Sequence, residues 1–222
     1  MAQPGLQQLT TPRAAALAGV VFAVLFGATV VLIRMKMPQD VGDLAGWLQD
    51  ERGAILTATV LMPFAGISFL WFIGAVRDSF GRYEDRFFAT VFLGSGMLFL
   101  AMMFVAMAVA VALVASSEGV MDATAHAGVV NFGITLFLAV SQTYGVKMAG
   151  VFMMSLATIW RKTGLMPQWL VALSYVVALG LLIASDVSMW VTMAFPVWVL
   201  VVSGLILLRA GVFEAHRASN AT

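Results

Sequence analysis

The sequence predicts an all-α polytopic bundle of six transmembrane helices, with both termini cytoplasmic. Three observations lead there. Of 222 residues, 62% are hydrophobic and 10% are charged, whereas a soluble domain is about one quarter charged. Six apolar segments follow one another along the chain, each long enough to span the hydrocarbon core of a bilayer. The Lys and Arg residues fall unevenly on the segments between them. With a mean hydropathy of +0.99, the chain uses lipid as its solvent. This excludes a soluble enzyme, a nucleic-acid-binding protein and a disordered chain.

The first span covers residues 14–33, between Arg13 and Arg34. It ends in "LIRMKMPQD" with no small-residue cleavage site, so it reads as an uncleaved helix rather than a secretory signal. The outer loop that follows contains "PQDVGDLAGWLQDERG". Val41, Leu44, Ala45 and Leu48 recur at helical spacing there, which predicts a short amphipathic helix on the outer surface, or a loop anchored by Trp47. The second span covers residues 53–76 and contains Pro63, which removes one backbone donor and predicts a kink. The third covers residues 87–115. It is longer than a ~30 Å core needs, so it should tilt or protrude.

The fourth segment, residues 128–160, is too long for one ordinary crossing and too short for two. We read it as one long helix with projecting turns. The alternative is a helix broken at "SQTYG", Ser141 to Gly145. The fifth span, residues 167–185, opens on Pro167, a residue suited to a first helical position. The sixth covers residues 187–208, with Pro196 near its middle, and forms a tight hairpin with the fifth at Asp186.

With the N-terminus inside, cytoplasmic segments carry Arg13, Arg77, Arg82, Arg86, Arg161, Lys162, Arg209 and Arg217. The outer loops carry only Arg34, Lys36 and Arg52. That bias sets the orientation. Trp160 and Trp169 fall at the inner boundary and Trp47 and Trp190 at the outer one, while Trp198 lies mid-span, away from either belt. The nine Arg against three Lys, with abundant Ala, Val and Gly, suggest a bacterial source rich in G and C.

Cysteine is absent, which excludes disulfides, thiolate metal sites and iron–sulfur clusters. Neither His126 nor His216 lies within an apolar run, so no pair of in-span histidines is available for haem. No nucleophile–base set, Walker loop, zinc motif or dinucleotide fingerprint occurs. These absences argue against an enzyme without excluding one, and no cofactor is expected; an intramembrane enzyme or metal-dependent protein using Glu118, Asp122 and His126 ranks last among the readings.

Lys147 is the most informative ionisable residue. It lies 13 positions before Trp160, or roughly 20 Å up the helix, and a lysine at that depth costs about 2.5 kcal/mol or more unless it has a partner or water. Thr143, Tyr144, Gly150 and Met154 share its face by spacing. Asp186 is the carboxylate at the most compatible depth, so a Lys147–Asp186 pair is expected. It would either pin two helices or line a polar path.

Glu118, Asp122 and His126 are spaced four apart and would form one stripe on a helix, able to hold a divalent ion at the outer face. The blander reading is a solvated acidic loop. The inner loop "RDSFGRYEDRFF" sets Arg77, Arg82 and Arg86 against Asp78, Glu84 and Asp85, with no net charge. It is either a docking surface for a cytoplasmic partner or a topology signal. The fifteen methionines, among them Met103, Met107, Met153 and Met154, read as packing material rather than copper ligands. Gly94, Gly96, Ala108 and Ala112 permit close helix approach.

Two stretches, "SFLWFIGAVRDSFGRYEDRFFATVFLGSGMLFLAMMF" and "KMAGVFMMSLATIWRKTGLMPQWLVALSYVVALGLLI", resemble a group of uncharacterised six-span actinobacterial integral membrane proteins. The shared features are a helix exit with Arg-Asp, a cationic residue before "MAGVFMMSLAT", and a "TGLMPQWL" turn. The resemblance covers most of residues 68–183. It implies fold and source, and brings no activity with it. Taken together, the expected function is that of a non-enzymatic accessory or interaction subunit of a larger membrane assembly in a bacterial plasma membrane. Its partners would be the lipid bilayer and other membrane subunits or further copies of the chain, with no nucleic acid. The alternative is a small-solute or ion transporter with Lys147 and Asp186 on its path.

Overall fold

A computed structural model of the chain describes residues 11–34, 44–78, 86–116, 123–184 and 189–219. Among these, only Glu51 and residues 164–167 lie outside a helix, and there are no strands. The helices are α1 (Thr11–Arg34), α2 (Leu44–Asp50), α3 (Arg52–Asp78), α4 (Arg86–Ser116), α5 (Ala123–Leu138), α6 (Val146–Thr163), α7 (Gln168–Ala184) and α8 (Ala194–Ser219). A π-helical segment, Ala139–Gly145, joins α5 to α6, and a short 3₁₀ turn, Met189–Met193, leads into α8. Five helices are long and apolar enough to cross a membrane, and α7 is a shorter apolar helix of 17 residues. The chain is therefore a helical, membrane-embedded protein.

The first five expected segments coincide with helices whose described ends shift by up to five residues, whereas the last helix runs Ala194–Ser219, eleven residues past the expected end at 208. Pro63 lies inside α3, whose helix continues past it from Arg52 to Asp78. The last helix differs more. Pro196 sits in the first turn of α8 rather than mid-helix, where its missing N–H would have no intrahelical partner in any case. Residues 189–193 tighten into the 3₁₀ turn ahead of it. The short helix expected after the first span forms at Leu44–Asp50, but it does not merely rest on a surface. Its Leu48 is buried against the helical core, and α2 packs on α3, α4 and α5.

α1 packs most closely against α3 and also against α8, and α4 bridges α3 to α6, which pairs with α7. The centre is a slab of aromatic rings supplied by five helices. Phe22 of α1 lies 4.6 Å from Phe69 of α3, centroid to centroid. Phe99 of α4 lies 4.8 Å from Phe195 of α8. Phe152 of α6 stacks on Phe92 at 4.5 Å and meets Phe69 at 5.2 Å. Such offset and edge-on pairs each contribute about 0.5–1.5 kcal/mol beyond burial. Trp198, the tryptophan that fits no interfacial belt, belongs to this slab, stacked on Phe195 at 6.2 Å. Its indole N–H donates to Ser174 Oγ at 2.9 Å, and Ser174 in turn donates to the Leu170 carbonyl. Burial of Trp198 thus leaves no polar atom unsatisfied.

Met103, Met107 and Met153 are buried in the same core and serve as packing. Of the small residues on α4, Gly96 lies against Ile73 and Phe152, while Gly94, Ala108 and Ala112 face outwards.

Candidate functional site

The polar residues of the fourth segment gather at the π-helical stretch "AVSQTYG". A π turn spreads i→i+5 bonds over a wider helix and is a rare conformation, often found at functional positions. Here the weak point expected at Ser141 to Gly145 is a change of helix type. α5, the π segment and α6 form one unbroken path from Ala123 to Thr163. Ser141 is buried and donates to the Phe137 carbonyl at 2.7 Å. A Cβ at Gly145 would collide with Met103, so the absence of a side chain lets α4 approach the π turn closely.

In the sequence, Arg34 is only the basic flank of the first span. It is 6% exposed. Its guanidinium donates to the side-chain oxygen of Gln142 from Nη2 at 3.1 Å and also from Nη1. The amide orientation follows from these bonds, since only the oxygen can accept them. A buried guanidinium, always charged, needs acceptors. The π turn presents one in Gln142, so the end of α1 is fastened to the middle of the long helix. No spacing rule in the sequence links residues 34 and 142, which is why this contact was not foreseen.

Lys147 is half-buried one turn beyond Thr143. Thr143 is half-buried as well, but Tyr144 is 59% exposed, so the expected common face of Thr143, Tyr144 and Lys147 is split. Gly150, one turn further along, lies under Leu182 and the Ala178 carbonyl of α7. That register sets Lys147 level with the last turn of α7. Its expected partner Asp186 falls outside the described residues.

Other expected residues are dispersed. His126 is half-buried in the second turn of α5, while Glu118 and Asp122 fall outside the described residues. Among the described residues no group of three His, Asp or Glu could hold a metal ion. Arg77 and Asp78 close α3 and Arg86 opens α4. Arg82, Glu84 and Asp85 fall outside the described residues.

The end of the bundle that carries Arg161 holds a second polar group. α6 terminates at Gly164, whose φ of 68° is left-handed and whose N–H returns to the Trp160 carbonyl at 2.9 Å. Glycine meets this conformation without steric penalty. After the turn, Pro167 opens the path into α7, its carbonyl accepting from Leu170 and Val171. A cleft of about 370 Å³ remains between the last turn of α6 and the first turns of α7. Trp160, Arg161, Met166, Gln168, Val171 and Tyr175 line it. Arg209 of α8 ties down the turn by donating to the Leu165 carbonyl.

Set beside protein-family models, curated proteins and solved structures, the chain finds no match.

Proposed function

We propose that this protein is a non-enzymatic accessory subunit of a larger membrane assembly. It crosses a bacterial plasma membrane six times, with both termini cytoplasmic. One observation carries this reading. The distance between Arg13 and Arg34 on α1, roughly 32 Å at 1.5 Å per residue, matches a bilayer core. Gln142 meets Arg34 and therefore lies near one edge of that slab. Phe132 stands ten residues earlier on the continuous helix, about 15 Å farther out, and is 71% exposed. Val129 and Leu136 are exposed beside it.

An apolar face beyond the bilayer core invites a protein neighbour. Burying Phe132 alone would contribute about 1.5–3 kcal/mol to docking. The outward Gly94, Ala108 and Ala112 of α4 would let a partner helix approach closely within the membrane.

A photo-crosslinking residue at position 132, activated in native membranes, tests the reading. A discrete adduct with a different membrane protein is expected, lost in Phe132→Asp. An uncrosslinked chain that purifies alone overturns it, and an adduct of two copies points to self-association instead.

The transporter reading draws on the π segment, where Gln142 meets the buried Arg34 and the half-buried Lys147 stands about 8 Å further along the helix. Solute flux into liposomes of purified protein, abolished by Lys147→Ala, would favour it over the subunit reading.

A further inference from the structure

We propose that the cleft between α6 and α7 is a binding site for the headgroup of an anionic phospholipid. The inference rests on the membrane-spanning placement above, but not on any protein partner. The cleft lies at the helix ends that carry Arg161, Lys162 and Arg209, the level at which lipid phosphates run.

Its chemistry is divided as a phospholipid requires. The inner wall is apolar, with buried Trp160 and Val171. The mouth is polar, with Arg161 and Gln168 exposed. At roughly 30 Å³ per water-sized heavy atom, 370 Å³ holds on the order of ten atoms, the size of a phosphoglycerol headgroup.

Arg161 is already oriented for this task. Its guanidinium lies over the Tyr175 ring, 5.9 Å from the centroid. The ring is itself held. Thr158 spends its hydroxyl proton on the Met154 carbonyl at 2.8 Å, so Tyr175 is the donor in the 2.7 Å bond between the two hydroxyls. A guanidinium held over a fixed ring is restrained in position while its fork of N–H groups stays available to an acceptor. No carboxylate among the described residues occupies that fork, which matches two phosphate oxygens at once. Lys162, one position on, instead lies over Phe88 at 4.7 Å and faces α4.

Titration of the detergent-purified full-length chain with phosphatidylglycerol, followed by native mass spectrometry, tests the site. One saturable lipid adduct is expected, with phosphatidylcholine binding far more weakly. Arg161→Gln should weaken it about five- to tenfold, the loss of one phosphate fork. Arg161→Lys, which keeps charge without the fork, should fall between. Ala172→Trp fills the cleft without touching a charge and should also remove the adduct. Arg52→Gln, at the opposite end of the bundle, should leave it unchanged.

Equal binding in wild type, Arg161→Gln and Ala172→Trp overturns the proposal. So does an equal loss in Arg52→Gln, which would mean diffuse electrostatics. If free glycerol phosphate saturates the cleft as tightly as the lipid, the occupant is a soluble phosphate and the lipid assignment fails.

Discussion

Ser203 of α8 is fully buried, and its hydroxyl has no hydrogen-bond partner among the described residues. It sits where a Cβ on Gly19 would go. The glycine is thus required for close approach of α1 and α8, and the serine adds little beyond filling space. Ser203→Ala is expected to be neutral or slightly stabilising, since it removes an unsatisfied polar atom. Gly19→Ala should destabilise by about 1–3 kcal/mol through overpacking. The double variant should recover only part of this, because the Phe72 ring also crowds the new methyl. Thermal unfolding of the four proteins in one detergent closes the cycle. Additive losses would mean that the two positions do not touch. Residues of this kind are poorly legible in a sequence. Lys147 stands out because charge is rare in an apolar run. Arg34 ends such a run and reads as an ordinary flank until Gln142 is seen to meet it.

The π segment belongs to the scale of the element. Its location was legible, because "SQTYG" interrupts an otherwise apolar stretch with five hydrogen-bonding or flexible residues. Its conformation was not, since a break, a kink and a wider helical turn leave the same mark on composition. The Arg34–Gln142 contact ties the turn to the end of α1. Gln142→Leu leaves a buried guanidinium short of an acceptor and should cost about 2–3 kcal/mol, read as a lowered unfolding temperature. Gln142→Glu supplies a charged acceptor at the same reach and should retain stability. A Gln142→Leu protein that melts like wild type would show that Arg34 is satisfied elsewhere. Pro196, expected mid-helix and found in the first turn of α8, shows the same limit. Proline marks a constraint, but neighbouring turns decide whether it bends a helix or opens one.

For the molecule as a whole, composition was enough to specify helices in lipid, and the apolar runs located nearly every helix. The aromatic slab was beyond reach. Its rings come from five separate helices, and the sixteen phenylalanines show no pattern that separates Phe99 in the core from Phe132 outside it. The topology has a direct test, because the absence of cysteine makes every introduced thiol unique. Single cysteines near residues 80 and 220 should react with a membrane-impermeant maleimide only after the cells are opened. One at residue 120 should react in intact cells. Labelling near residues 80 and 220 from outside, with residue 120 protected, would reverse the orientation, and labelling near residue 220 but not near residue 80 in intact cells would make the number of crossings after α3 odd.

The unequal lengths of the helices have one more consequence. Over the described residues α7 covers 17 positions, roughly 25 Å, while the path from Ala123 to Thr163, whose α6 part pairs with it, is far longer. Lipids along the α7 flank must shorten or splay their acyl chains to match it, and those on the opposite flank need not. Such a lopsided collar is relieved when two thin flanks share it. The protein is therefore expected to settle where the surrounding membrane is already thin, with α7 turned towards any neighbour that has the same deficit.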